Sequence, residues 1–141
     1  MQKTLLDTDI FSEIIKGKNQ NVIIKATQYF EYFKIYCISS ITVMEIVKGL
    51  HKVRREEFIQ RFLLQIPKIE ILTLDVKSAE IAGRIYANLE RMGQPLGRAD
   101  PMIAGIAIRH NLILSTGNVE HYQRIQNMGY KSQIENWRYA N

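Results

Sequence analysis

Short apolar runs at residues 4–6, 35–38, 69–74 and 112–114 alternate along this chain with segments whose apolar residues recur at helical spacing. That alternation leaves few folds open. The runs are strand-sized and show little polar alternation, which marks strands buried on both faces, the situation of a parallel sheet covered by helices. Between them Val43, Ile46, Val47 and Leu50 recur at i, i+3, i+4, i+7, as do Ile59, Phe62, Leu63 and Ile66, and Ala82, Ile85, Tyr86 and Leu89. A fourth segment, 101–110, is apolar almost all round, and its small Ala104, Gly105 and Ala107 suit a helix buried close against the sheet. Asp100 is its expected N-cap, with Pro101 at the first helical position. Weaker helical patterns follow Thr8 and cover 22–33, and a short edge strand is expected near 133–135. The predicted fold is an α/β domain with a mainly parallel sheet and right-handed crossovers.

The chain has 141 residues, 46% of them hydrophobic, and three prolines at 67, 95 and 101, with no repeat or low-complexity stretch at which to divide it. One domain over 1–141 is expected. Cys37, the sole cysteine, lies in the apolar run Ile35-Tyr36-Cys37-Ile38, so a disulfide framework and a Cys-rich zinc site are both excluded and it reads as a small buried hydrophobe. No apolar run reaches 18 residues, and the segment from Met1 to Asp7 is too short and too quickly charged for a signal peptide. The expected address is the cytoplasm, with no membrane partner. Lys and Arg number 19 against 14 Asp and Glu, a net charge of +5 that favours an anionic partner without choosing one.

In an open parallel sheet, ligands bind beyond the carboxyl ends of the strands, where the following helices begin. Asp7 and Asp9 follow the first strand, Ser39 and Ser40 the second, and Thr116 and Asn118 the strand near 112–114, while Glu45 lies near the start of the next helix and Asp100 at the start of another. Asp7, Glu45 and Asp100 are therefore expected on one rim. Three carboxylates so placed repel, and protonation or a bound cation must relieve them. Oxygen ligands suit Mg²⁺ or Mn²⁺, which activate water and neutralise charge on a phosphoryl oxygen. His51, His110 and His121 show no zinc-ligand spacing. Capping is the plain alternative for each acid: Asp7 before a helix, Asp100 before Pro101, and Thr42-Val43-Met44-Glu45 as a capping box.

Lys48, Lys52, Arg54 and Arg55 follow Glu45, and Lys48 and Lys52 share its helix face. Arg91 and Arg98 bracket the loop leading to Asp100. Beside an acidic rim, Lys48, Lys52 and Arg98 are candidate contacts to a nucleic-acid backbone. Tyr29, Phe30, Tyr32 and Phe33 read as core or dimer contact rather than as a platform for bases.

With Leu5-Leu6-Asp7-Thr8-Asp9, Ser39-Ser40-Ile41-Thr42-Val43-Met44-Glu45, Gly97-Arg98-Ala99-Asp100-Pro101-Met102-Ile103-Ala104 and Ser115-Thr116-Gly117-Asn118 in this order, followed by Glu135-Asn136-Trp137, the chain resembles PIN-domain ribonucleases, more closely the VapC toxins of VapBC toxin–antitoxin pairs. The resemblance spans nearly the whole length. It implies a PIN-like α/β/α sandwich with a short, mainly parallel sheet, Mg²⁺- or Mn²⁺-dependent endoribonuclease activity, a homodimer, and neutralisation by a cognate VapB-like antitoxin. Asp7, Glu45 and Asp100 match the family's three principal acids. Where many relatives carry a fourth acid, this chain offers Asn118, with Glu120 and His121 nearby; relatives also carry Asn at the position of Asp9.

The resulting expectation assigns Asp7, Asp100 and Glu45 to the metal, with Glu45 orienting the attacking water and Asn118 completing the catalytic set. Thr8, Asp9, Thr116 and Glu120 are expected in support. Two other readings compete: a PIN-fold RNA- or protein-binding module without turnover, and, from Asp7-Thr8-Asp9, a phosphatase with an aspartate nucleophile.

Overall fold

The computed structural model describes residues 1–94 and 99–139. In chain order the elements are β1 (Thr4–Leu6), α1 (Thr8–Lys16), α2 (Gln20–Phe33), β2 (Tyr36–Ser39), α3 (Ser40–Lys52), α4 (Glu56–Gln65), a 3₁₀ turn (Ile66–Lys68), β3 (Ile69–Leu72), α5 (Val76–Arg91), α6 (Asp100–Arg109), β4 (Ile113–Ser115), α7 (Val119–Gln126) and β5 (Ile134–Glu135). The strands run in the order β3-β2-β1-β4-β5, and every pairing is parallel. The expected fold class is present, including the short edge strand.

Because side chains alternate across a strand, successive residues of β1 and β2 enter opposite layers. Leu5 and Cys37 join Leu114 against Ile85 of α5, Ile106 of α6 and Ile125 of α7. Leu6 and Ile38 face Ile10, Val22, Phe62 and Trp137 on the other side. Two cores on one three-layer sandwich result. Tyr29 belongs to the second core, its hydroxyl accepting the Thr4 N–H at 3.1 Å, whereas Phe30 and Tyr32 are exposed. Cys37 is buried as expected, and burial pushes its thiol up to about 12.

Several boundaries differ from expectation for local reasons. Strand β3 stops at Leu72 because Asp75 caps α5, its carboxylate accepting the Ser78 N–H at 2.8 Å. Helix α6 begins at Asp100 itself, with Ala99 in the cap position and Pro101 one residue further in. Its small residues approach α5 as well as the sheet: a Cβ added at Gly105 would lie 2.5 Å from the Ser78 carbonyl oxygen. Helix α7 is absent from the sequence reading altogether. It is eight residues long and buries only Tyr122 and Ile125, too little periodicity to register. Among the described residues no helix is long and apolar enough to cross a membrane.

Candidate active site

Strands β1 and β4 end together, Leu6 opposite Ser115, and the Asp7 N–H donates to the Ser115 carbonyl at 2.9 Å. The first residue beyond β1 is thereby fixed where four helices begin. Asp7 is 3% exposed. Its Oδ1 accepts the Thr8 N–H at 2.8 Å, which is the cap expected of it, and its Oδ2 accepts the Thr116 hydroxyl at 2.7 Å. The Tyr122 hydroxyl stands 3.3 Å from Asp7 Oδ2 and 3.3 Å from Asp100 Oδ1. One phenolic proton thus serves two carboxylates and can satisfy one at a time.

Asp100 does not cap its helix. As the first helical residue it turns its carboxylate to α7, where Oδ1 meets Tyr122 and Oδ2 lies 2.7 Å from Nδ1 of His121. The expected N-cap is corrected, and freedom from capping leaves this acid for the site. Burial, and then the negative charge of Asp9, push the Asp7 carboxyl up to about 7 against the hydrogen bonds from Thr116 and Thr8; the Asp100 charge adds to the rise. Burial and the flanking carboxylates hold the Tyr122 phenol well above its usual range, so it remains a donor.

Glu45 reaches the same rim through a hydroxyl chain. Ser39 caps α3, accepting the Thr42 N–H at 3.1 Å; the Thr42 and Thr8 hydroxyls lie 2.9 Å apart, and Thr8 Oγ1 donates to Glu45 Oε1 at 2.5 Å. With Ser39 as the cap, Thr42 is the third helical residue, so the capping-box alternative for Thr42 and Glu45 is set aside. Thr8 and Thr116 both contact the acids directly, at Glu45 and Asp7 respectively.

Asp9 lies on the first turn of α1 beside Asp7. Its Oδ1 accepts the Ile10 N–H at 2.8 Å, its Oδ2 accepts the Gly117 N–H at 2.8 Å, and Arg138 Nη1 lies 3.6 Å from Oδ2. Burial raises its pKa, with Gly117 and Arg138 opposing.

The other candidates are less engaged. Asn118 is exposed at the start of α7, and its backbone N–H donates to Thr116 Oγ1 at 2.9 Å. Glu120 is exposed two residues on, in the first turn of α7, and the site contacts among the described residues do not include it. Lys48 and Lys52 are exposed on α3, the helix that carries Glu45. Arg98 lies outside the described residues. Among the described residues no three of His, Cys, Asp and Glu form a ready-made metal cage; Asp7 and Asp100 share the Tyr122 hydroxyl.

Three participants escaped the sequence reading: Tyr122, His121 as a partner of Asp100, and Arg138. The first two ride on the unrecognised helix α7. A histidine and a tyrosine three and four residues after Asn118 were the available signal. Arg138 had none, since its approach to Asp9 depends on how the segment after β5 folds back.

The family model described as PIN domain matches residues 4–125. The chain is 34% identical to the tRNA(fMet)-specific endonuclease VapC of Shigella flexneri, covering 97% of this chain and 99% of that protein. It is 31% identical to ribonuclease VapC2 of Haemophilus influenzae, with 97% and 99% covered. Among solved structures, DNA-bound VapBC from Salmonella typhimurium matches with a TM-score of 0.79 and 33% identity over 97% of this chain and 99% of that one. VapBC2 from Rickettsia felis, bound to a DNA fragment from its promoter, gives a TM-score of 0.77 at 26% identity over 95% and 98%. With a parallel five-strand sandwich, acids gathered at its carboxyl edge and likeness over nearly the full length of these relatives, the chain belongs to the PIN-domain family.

Proposed function

We propose that this chain is a metal-dependent endoribonuclease of the VapC type, the toxin of a toxin–antitoxin pair, with a VapB-like antitoxin as its partner and a homodimer as its working form. The carrying observation is the pair Asp7 and Asp100, which meet at one phenol although one follows β1 and the other begins α6. A buried carboxyl raised to about 7 beside two further acids is costly to ionise, and a cation relieves that cost. Two carboxylates make the sparse oxygen set that Mg²⁺ accepts while keeping waters and a substrate phosphate. The relatives' names point to RNA, and that of the Shigella protein to tRNA.

Asp7 and Asp100 would hold Mg²⁺ or Mn²⁺, and Glu45 would complete the site. When bound, such an ion lowers the pKa of a coordinated water and neutralises charge at a phosphoryl oxygen. Glu45, aimed by the Thr8 hydroxyl, orients the attacking water and takes its proton. Water oxygen bonds to phosphorus as the bond to the 3′ oxygen breaks, and that oxygen takes a proton from solvent, leaving a 5′-phosphate and a 3′-hydroxyl. Thr116 and Tyr122 hold Asp7 against rotation. Asn118, in place of an acid, presents an uncharged amide at the rim, and Lys48 and Lys52 contact the RNA backbone.

The test is cleavage of total tRNA by the purified, antitoxin-free protein with Mg²⁺ or Mn²⁺, beside an EDTA control and the Asp7→Asn/Asp100→Asn double variant. Discrete bands that need the metal and vanish in the variant are expected. Intact tRNA from folded protein, or a 2′,3′-cyclic phosphate product, would refute the mechanism.

A further inference from the structure

We propose that Arg138 is a phosphate-binding residue of this site, gripping the RNA backbone beside the scissile bond; the proposal rests on the RNA-hydrolysis reading above. Neither composition nor motif singles out this residue, yet it stands at the acidic rim. Its Nη1 lies 3.6 Å from Asp9 Oδ2 and its Nε 3.9 Å from Glu13 Oε2. These are ion-pair separations too long for hydrogen bonds. Among the described residues, only the backbone of Arg138 is hydrogen-bonded: its N–H donates to Asn136 Oδ1 at 3.0 Å, and its carbonyl accepts from Asn21 Nδ2 at 2.8 Å. The five guanidinium N–H donors are therefore held beside the carboxylates without being used up by them.

The placement is built. Trp137, 3% exposed, anchors the preceding residue in the core, its ring 5.6 Å from that of Tyr29. On the other side the guanidinium lies over Gly117: an added Cβ there would collide with Arg138 Nη1 and lie 2.5 Å from Asp9 Oδ2. Gly117 carries no unusual backbone angle, so the missing side chain serves this close approach. The side chain of Arg138 is 36% exposed, open enough to meet a ligand while its aim is fixed. A polyanion approaching Asp7, Asp9 and Asp100 meets repulsion first, and a guanidinium at that edge offsets it with paired donors that match phosphate oxygens.

The experiment measures steady-state cleavage of tRNA and its salt dependence for the wild type, Arg138→Ala, Arg138→Lys and Glu13→Gln, with thermal melts of each. Wild-type cleavage in the same assay tests the ribonuclease reading separately, because its absence would sink that reading whatever Arg138 does. For Arg138→Ala we expect KM to rise about tenfold with kcat within about twofold, as for loss of a charge-assisted hydrogen bond. The slope of log kcat/KM against log salt should become shallower by about 0.7–0.9, as for one lost phosphate contact. Arg138→Lys, which keeps the charge but not the paired donors, should restore the salt slope and only part of the KM loss, and Glu13→Gln, which frees the guanidinium, should leave KM unchanged or lower. An active wild type with KM and salt slope unchanged in Arg138→Ala would overturn the proposal. So would a rise in kcat, which would make the contact autoinhibitory, or an equal KM loss in Glu13→Gln, which would make it a structural tether.

Discussion

Replacing Asp7 by Asn should stabilise the metal-free protein at alkaline pH while abolishing cleavage. Asp7 is 3% exposed, and its carboxyl is raised from 3.8 to about 7. At 1.36 kcal/mol per pK unit, holding it ionised in the fold costs about 4 kcal/mol above pH 7. The folded state binds this proton more tightly than the unfolded chain, so the cost is absent below about pH 4, grows between about 4 and 7, and is complete above that. Between pH 5 and pH 8 the wild type loses about 3 kcal/mol through this group alone. Asparagine does not ionise, and its amide oxygen still accepts from Thr8 or Thr116. Urea denaturation of both proteins in EDTA at pH 5 and pH 8 measures the difference. Asp7→Asn should gain on the wild type by about 3 kcal/mol across that interval. A stability difference that does not change with pH, or changes in the opposite direction, would refute a strained, buried Asp7 and with it the reason for a cation there.

Removing the Tyr122 hydroxyl with Tyr122→Phe leaves Asp7 and Asp100 without their shared donor. We expect a loss of about 1–2 kcal/mol in EDTA, read by urea denaturation, and a smaller loss in saturating Mn²⁺, where the cation takes over the charge. Gly105→Ala forces a methyl to within 2.5 Å of the Ser78 carbonyl and should destabilise by about 1–3 kcal/mol by the same assay, whereas Gly83→Ala, with open space around it, should not.

The layers and the rim were legible because they follow from periodicity and topology. Leu5 and Leu6 already imply two faces, and any parallel sheet brings the residues after its strands to the edge where its helices begin. Asp7, Glu45 and Asp100 could therefore be grouped without knowing a single contact. What stayed hidden depends on short elements and on atoms. Eight residues with two buried members do not announce α7, so Tyr122 and His121 went unplaced. Asp100 carries the same local signal whether it caps α6 or begins it; only the contacts with Tyr122 and His121 decide, and those come from a separate element. Glu45 matched a capping pattern that Ser39 occupies instead, one turn earlier. Arg138 reaches Asp9 through the fold of the segment after β5, which no spacing encodes.

The measurement to make next is an anomalous-difference map from crystals of the antitoxin-free protein soaked in Mn²⁺, beside crystals of Asp100→Asn treated alike. A strong peak ligated by Asp7 and Asp100, lost in the variant, is the expected result. No density between those carboxylates at saturating Mn²⁺, in protein that still cleaves RNA, would mean that their convergence serves some purpose other than holding the catalytic ion.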